Sequence, residues 1–190
     1  MSDYEKNVML ISGGWLLVFN IVISAENPSP TLSLETSYHR VDSYGSNNLV
    51  LANSAMNELR EHLSSTQLRF HCSKQQGRTF HVTTVANSSG EAVVQYFSGQ
   101  TENIPNSCGS FLPEKGDNSY LAGQCNKWGY ESGHYFVGKW GHEGKRELYD
   151  VPVFKAGKHH WVTNRRWDCH DFNEFNVPPS AEDFWKIFVR

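Results

Sequence analysis

The side chains best suited to chemistry crowd towards the end of the chain. Trp161, Trp167, Asp168, His170 and Asp171 lie close together in sequence, with Cys169 among them. An indole combines a flat apolar face with a polar edge, which suits it to stack on a sugar ring or receive a partner side chain. Calcium takes about six to eight oxygens, drawn from carboxylates, carbonyls and water. Asp168 and Asp171, with Glu174 nearby, could supply some of these from one loop, and Asp117 and Asn118 could add more from another. Two expectations follow. Trp161, Trp167, Asp168, His170 and Asp171 line a ligand site, and Asp168, Asp171, Asp117 and Asn118 are the candidate calcium ligands. The competing reading is a solvated acidic loop beside tryptophans that fill a core, where this residue type is usually well buried.

Catalytic patterns are missing from the sequence. It contains no GxSxG, HExxH, Walker loop or GxGxxG. His142, His159, His160 and His170 invite a zinc reading, but adjacent histidines on a strand point to opposite faces. A hydrolase built on His170 with Asp168 or Asp171 lacks a nucleophile motif. The chain is therefore read as a non-enzyme.

Cys72, Cys108, Cys125 and Cys169 form no CxxC pair. An even count without metal spacing reads as two disulfides, with three connectivities open. Cys108–Cys125, closing a short loop, and Cys72–Cys169, tying the middle of the chain to its end, form the favoured set. Disulfides point to an extracellular, secreted protein. Asn87-Ser88-Ser89 is a glycosylation sequon and agrees with that setting.

The totals narrow the class. The chain has 190 residues, 17 basic and 20 acidic, for a net charge of −3. No basic stripe marks a nucleic-acid partner. Hydrophobic residues make up 38% and mean hydropathy is −0.54, which excludes a polytopic membrane protein. Only 19% of residues are charged while 13% are aromatic, a mix that suits a loop-rich extracellular β protein.

The elements that must position the site are read from periodicity. Leu68, Phe70 and Cys72 alternate with Arg69, His71 and Ser73, and Phe80 and Val82 alternate with Thr79, His81 and Thr83. Both runs read as strands. The run Ala92–Phe97 reads as a third, central strand, apolar on both faces except at Gln95, after a turn at Asn87–Gly90; a short buried helix is the alternative. Asn53 or Ser54 caps a helix running to about Leu63, with Met56, Leu59 and Leu63 as its apolar stripe. Short strands are expected at Tyr135–Lys139, Val151–Phe154 and His160–Thr163, and a last one at Phe184–Arg190. The apolar stretch Val8–Ala25 invites a signal-peptide reading. Asp3, Glu5, the Gly13-Gly14 pair and Asn20 weaken it, and a buried strand over Trp15–Ile23 is the alternative. A membrane span fits less well, for the same breaks.

Several segments in order resemble a known family. Gly13-Gly14-Trp15-Leu16-Leu17-Val18 is similar to the strand that opens fibrinogen-like C-terminal domains and the related intelectins. The helix NSAMNELREHL followed by TQLRFHC, and then SCGSF, DNSYLAGQC, GKWGH, LYDVPVF, WDCHDF and DFWKIFVR, resemble divergent invertebrate members, cnidarian ones in particular. The resemblance spans Gly13–Arg190. It implies an α+β fold with a central antiparallel sheet, one or two helices and a long disulfide-pinned loop region. It implies that residues 13–190 form the domain, that 1–12 lie outside it, and that the chain is a truncated or alternatively started form. It also implies a secreted recognition module for a glycan or an extracellular protein, often calcium-dependent and able to form a homo-oligomer, in innate defence or matrix. The intact D-x-D calcium loop of the family is missing, which leaves Asp117, Asn118, Asp168 and Asp171 as the nearest matches. The alternative is a structural matrix or assembly protein with no small-ligand site.

Overall fold

A computed structural model describes residues 14–43, 45–163, 166–170 and 179–190. The segment 1–12, Gly13 and Asp171 thus lie outside the described residues.

The chain enters through Trp15 into β1 (Leu16–Val22), then passes β2 (Leu34–Glu35) and β3 (Asn48–Leu51) to helix α1 (Asn53–Leu63). Strands β4 (Leu68–Ser73) and β5 (Thr79–Thr84) follow, then helix α2 (Ser88–Phe97) and β6 (Phe111–Pro113). The loop-rich half holds β7 (Tyr130–Glu131), β8 (His134–Tyr135), β9 (Val153–Phe154), β10 (His160–Val162) and β11 (Asp168–Cys169). Strand β12 (Phe184–Val189) ends the chain.

Seven strands form the main sheet in the order β2-β3-β1-β12-β4-β5-β6. Every pair is antiparallel except β2–β3. The last strand lies in the middle, with Leu16 opposite Val189 on one side and Leu68 opposite Val189 on the other. Its alternation explains the place: Trp185, Ile187 and Val189 are buried on the face that β4 fills with Leu68, Phe70 and Cys72. Strand β1 is buried along nearly its whole length, as a strand covered on both faces must be.

The expected third meander strand is instead helix α2. Asn87 is its N-cap, with Oδ1 accepting from the N–H groups of Ser89 (2.9 Å) and Gly90 (3.3 Å). Gly90 lets the first turn sit against the end of β5, because a Cβ there would lie 1.9 Å from the Val85 carbonyl oxygen. The helix buries Val93, Val94, Tyr96 and Phe97, and Phe97 meets Phe70 and Trp140 edge-on. Helix α1 also differs in detail. Its cap position is Ala52, with no side-chain cap, and Leu63 at its end is exposed. The strand expected over Tyr135–Lys139 is confined to His134–Tyr135, pairing with Tyr130–Glu131.

Buried indoles fasten the loops to the sheet. Trp128 donates to the Leu121 carbonyl at 3.0 Å, Trp140 to Ser110 Oγ at 2.9 Å and Trp185 to the Asp168 carbonyl at 3.2 Å. Trp128 stacks on Phe111 and meets Trp140, so one aromatic cluster joins the two halves of the chain. Disulfides Cys72–Cys169 and Cys108–Cys125 complete the attachment, the favoured pairing of the three. The architecture is mixed α+β, with few helices, one large sheet and two disulfides. No helix among the described residues is long and apolar enough to cross a membrane.

Candidate functional site

Two loops far apart in sequence meet at one corner. The backbone N–H groups of Tyr120 and Leu121 face the ring nitrogens of His170, at 2.9 and 3.2 Å. A neutral imidazole has one acceptor nitrogen, so at most one of these two N–H groups hydrogen-bonds to the ring and the other is a close polar contact. His170 is fully buried and holds a left-handed φ of 74°, an unusual conformation for a side chain of its size. Its own N–H donates to the His160 carbonyl at 2.9 Å, and Cys169 before it is bonded to Cys72 in β4. The corner is therefore tied to the sheet by a covalent link and to loop 117–121 by polar contacts.

Above His170 the rings continue outward. His159 stacks on His170 with 5.0 Å between centroids, and Tyr120 lies 5.9 Å from His159. Tyr120 is 51% exposed. Arg78 lies over its ring at 4.1 Å and donates to its hydroxyl at 2.8 Å and to the Asn118 carbonyl at 3.1 Å. An exposed phenol ring held between a guanidinium and an imidazole presents its edge and its hydroxyl, rather than a free face, to a ligand.

The expected site residues fall into different environments. Trp161 is fully buried in β10, edge-on to Phe19 and Phe70, and belongs to the core cluster. Trp167 is half-buried and packs edge-on against Trp185 at 5.2 Å. Asp168 is buried, with its carboxylate 2.8 Å from His160 Nε2 and paired also with Arg166. His170 forms the floor of the corner. Asp171 lies outside the described residues. Asn87, the sequon residue, is exposed at the N-cap of α2.

Asp117 and Asn118 work as fasteners. Asp117 Oδ2 accepts from the His81 N–H at 2.7 Å, and its Oδ1 accepts from the N–H and hydroxyl of Ser119. Asn118 Oδ1 accepts from the Thr79 N–H at 2.7 Å. These bonds extend the edge of β5 where β6 no longer covers it. In this structure the oxygens of Asp117, Asn118 and Asp168 serve donors and cations of the chain itself. Among the described residues no three His, Cys, Asp or Glu side chains gather as a metal-binding group.

Sequence reasoning missed Tyr120, Arg78 and His159 as parts of one surface. Tyr120 lies two residues after Asn118, an aromatic in a polar loop, and His159 enters the sequence reading only as a metal ligand. Their meeting depends on the contact of loop 117–121 with His170, which no spacing encodes.

No family model matches the chain, and comparison with curated proteins and with solved structures likewise finds no match. The fibrinogen-like resemblance therefore stands on the segments quoted for it.

Proposed function

We propose that the chain is a non-catalytic extracellular recognition module of fibrinogen-like kind, binding a glycan or a sugar-bearing protein at the Tyr120 corner. The observation that carries this reading is the half-exposed Tyr120 ring, held by Arg78 on one side and backed by His159 and buried His170 on the other. A ring fixed in this way loses little rotamer freedom when a ligand packs against its exposed edge. Loops on a rigid scaffold commonly carry binding sites, and here two disulfides hold the loops. The same disulfides agree with an extracellular setting.

A glycan array tests the reading, run with wild type and Tyr120→Ala, each with and without EDTA. Binding lost in Tyr120→Ala supports the corner. Binding that persists in EDTA is expected, because the described carboxylates already have partners. EDTA-sensitive binding would return calcium, and with it Asp171, to the site. A blank array with folded protein would favour the structural assembly reading instead.

A further inference from the structure

The turn over Ala122–Lys127 and the hairpin of residues 155–159 lead away from the Tyr120 corner and frame a second feature. The hairpin closes through the Lys155 N–H to the His159 carbonyl at 3.1 Å, and the turn through the Gln124 N–H to the Leu121 carbonyl at 3.0 Å. Between them lies an open pocket of about 320 Å³ lined by Lys127, Phe136, Lys155, Ala156 and Lys158. Three lysines and, among the described residues, no carboxylate line it, in a chain whose net charge is −3. Lys155 is nearly buried, and its amine is held by Gln124 Oε1. Burial first, then the charges of Lys127 and Lys158, lower the pKa of Lys155, so the amines crowd one another without a counter-charge among the lining residues.

Phe136 supplies the apolar wall, in a conformation that needs explaining. Its φ is +62°, a region that bulky side chains rarely adopt, and its ring is 52% exposed. Its N–H donates to the Gly129 carbonyl at 3.0 Å, which holds it there. A strained residue that presents an aromatic face to solvent contributes nothing obvious to the core, and strain of this sort gathers at ligand clamps.

We propose that this pocket binds an anionic sugar residue, a sulfated or carboxylated ring, with its apolar face on Phe136 and its charge among Lys127, Lys155 and Lys158. A pyranose has a face of C–H groups that suits an aromatic wall and a rim that suits ammonium donors. The volume lies at the small end of ligand pockets, fitting one ring of a longer chain. The proposal rests on the glycan reading and adds the class of glycan, since the pocket shares its hairpin and turn with the Tyr120 corner.

Calorimetry with the full chain tests it, using a fully sulfated heparin tetrasaccharide, the same chain after chemical desulfation, a hyaluronan tetrasaccharide and a neutral cello-oligosaccharide. The sulfated chain should bind at least tenfold more tightly than the cello-oligosaccharide, with the desulfated and hyaluronan chains reporting what carboxylate alone supplies. Phe136→Gly is the decisive variant. Glycine adopts this φ without strain, so the variant should melt higher than wild type while binding the sulfated chain at least fivefold more weakly. Lys158→Gln should weaken binding and reduce its salt dependence, whereas Phe136→Gly should leave the salt dependence unchanged. Undiminished affinity in Phe136→Gly would overturn the proposal and reduce the lysines to a general charged surface. Equal binding of sulfated and neutral chains would overturn it too, while leaving the glycan reading standing. No binding to any saccharide would remove both.

Discussion

Replacing Cys72 and Cys169 together with alanine tests how the site corner is held. Cys72 lies in β4 at the middle of the main sheet, opposite Trp185, and Cys169 lies in β11 of the small sheet, opposite Trp161. Both are fully buried. The bond spans a sequence separation of 97, whereas Cys108–Cys125 spans 17. In the chain-entropy model the long loop stabilises by roughly 4.7 kcal/mol and the short one by roughly 3.2 kcal/mol, through restriction of the unfolded chain. Losing the long bond should therefore cost about 1.5 kcal/mol more than losing the short one. Against the usual total of about 5–15 kcal/mol, the double alanine variant should be close to marginal at room temperature. Urea titration of both paired variants measures the difference. The denaturant slope should also rise more in the Cys72/Cys169 variant, because its unfolded state expands further. Equal midpoints and slopes for the two variants would refute the entropic argument. Four alkylatable thiols in the native wild type would refute the disulfides themselves.

Two further perturbations read other parts of the structure. His71 and His81 stack across β4 and β5 with 3.9 Å between centroids, facing Arg69, Lys186, Lys115, Glu114 and Asp117. Burial first, then His81, Lys186 and Arg69, lower the His71 pKa to about 3. The unfolded chain therefore binds a proton that the folded one does not as pH falls below about 6.5, and stability drops through that window down to about 3. This residue should add up to about 1.4 kcal/mol per pH unit to the slope of stability against pH between 4 and 6, and His71→Gln should flatten that slope. An unchanged slope in His71→Gln would place the acid sensitivity elsewhere. Gly129 holds φ +88°, and a Cβ there would lie 2.6 Å from the Lys139 carbonyl oxygen. Gly129→Ala combines backbone strain with a clash and should cost about 3 kcal/mol by urea unfolding, so a loss below about 1 kcal/mol would show that the hairpin yields.

The main sheet was legible wherever one face is wet. Strand β4 alternates cleanly and β5 does so over Thr79–Val82 before its end is buried on both faces, and the sequence carries that alternation residue by residue. Strand β12 was legible as an ending strand, but its central position was not, because order in a sheet depends on long-range pairing. The tryptophans of the loop half show a different limit. Trp161 and Trp167 are equally suited by type to stack on a ligand, yet Trp161 is sealed in the core while Trp167 is half-buried. Composition near a site does not say which aromatic faces water; the burial of each depends on neighbours such as Phe19, Phe70 and Trp185 that lie far away in sequence.

The misread helix α2 shows where a local signal was present and a stronger-looking one prevailed. The run Ala92–Phe97 is apolar on adjacent positions, a pattern that a buried helix and a doubly covered strand share. Length does not separate them at this size. What separates them lies just before the run: Asn87 is a preferred cap residue, two serines follow, and Glu91 stands in the first turn. Read as a cap, Asn-Ser-Ser-Gly begins a helix; read as a turn, it ends a strand. Gly90 decides between the two in three dimensions, because only a residue without a Cβ lets the first turn of α2 close onto Val85 directly after β5. Any larger residue at position 90 would push the helix away from β5, taking Phe97 from its contacts with Phe70 and Trp140, and with them part of the aromatic cluster that anchors the loops.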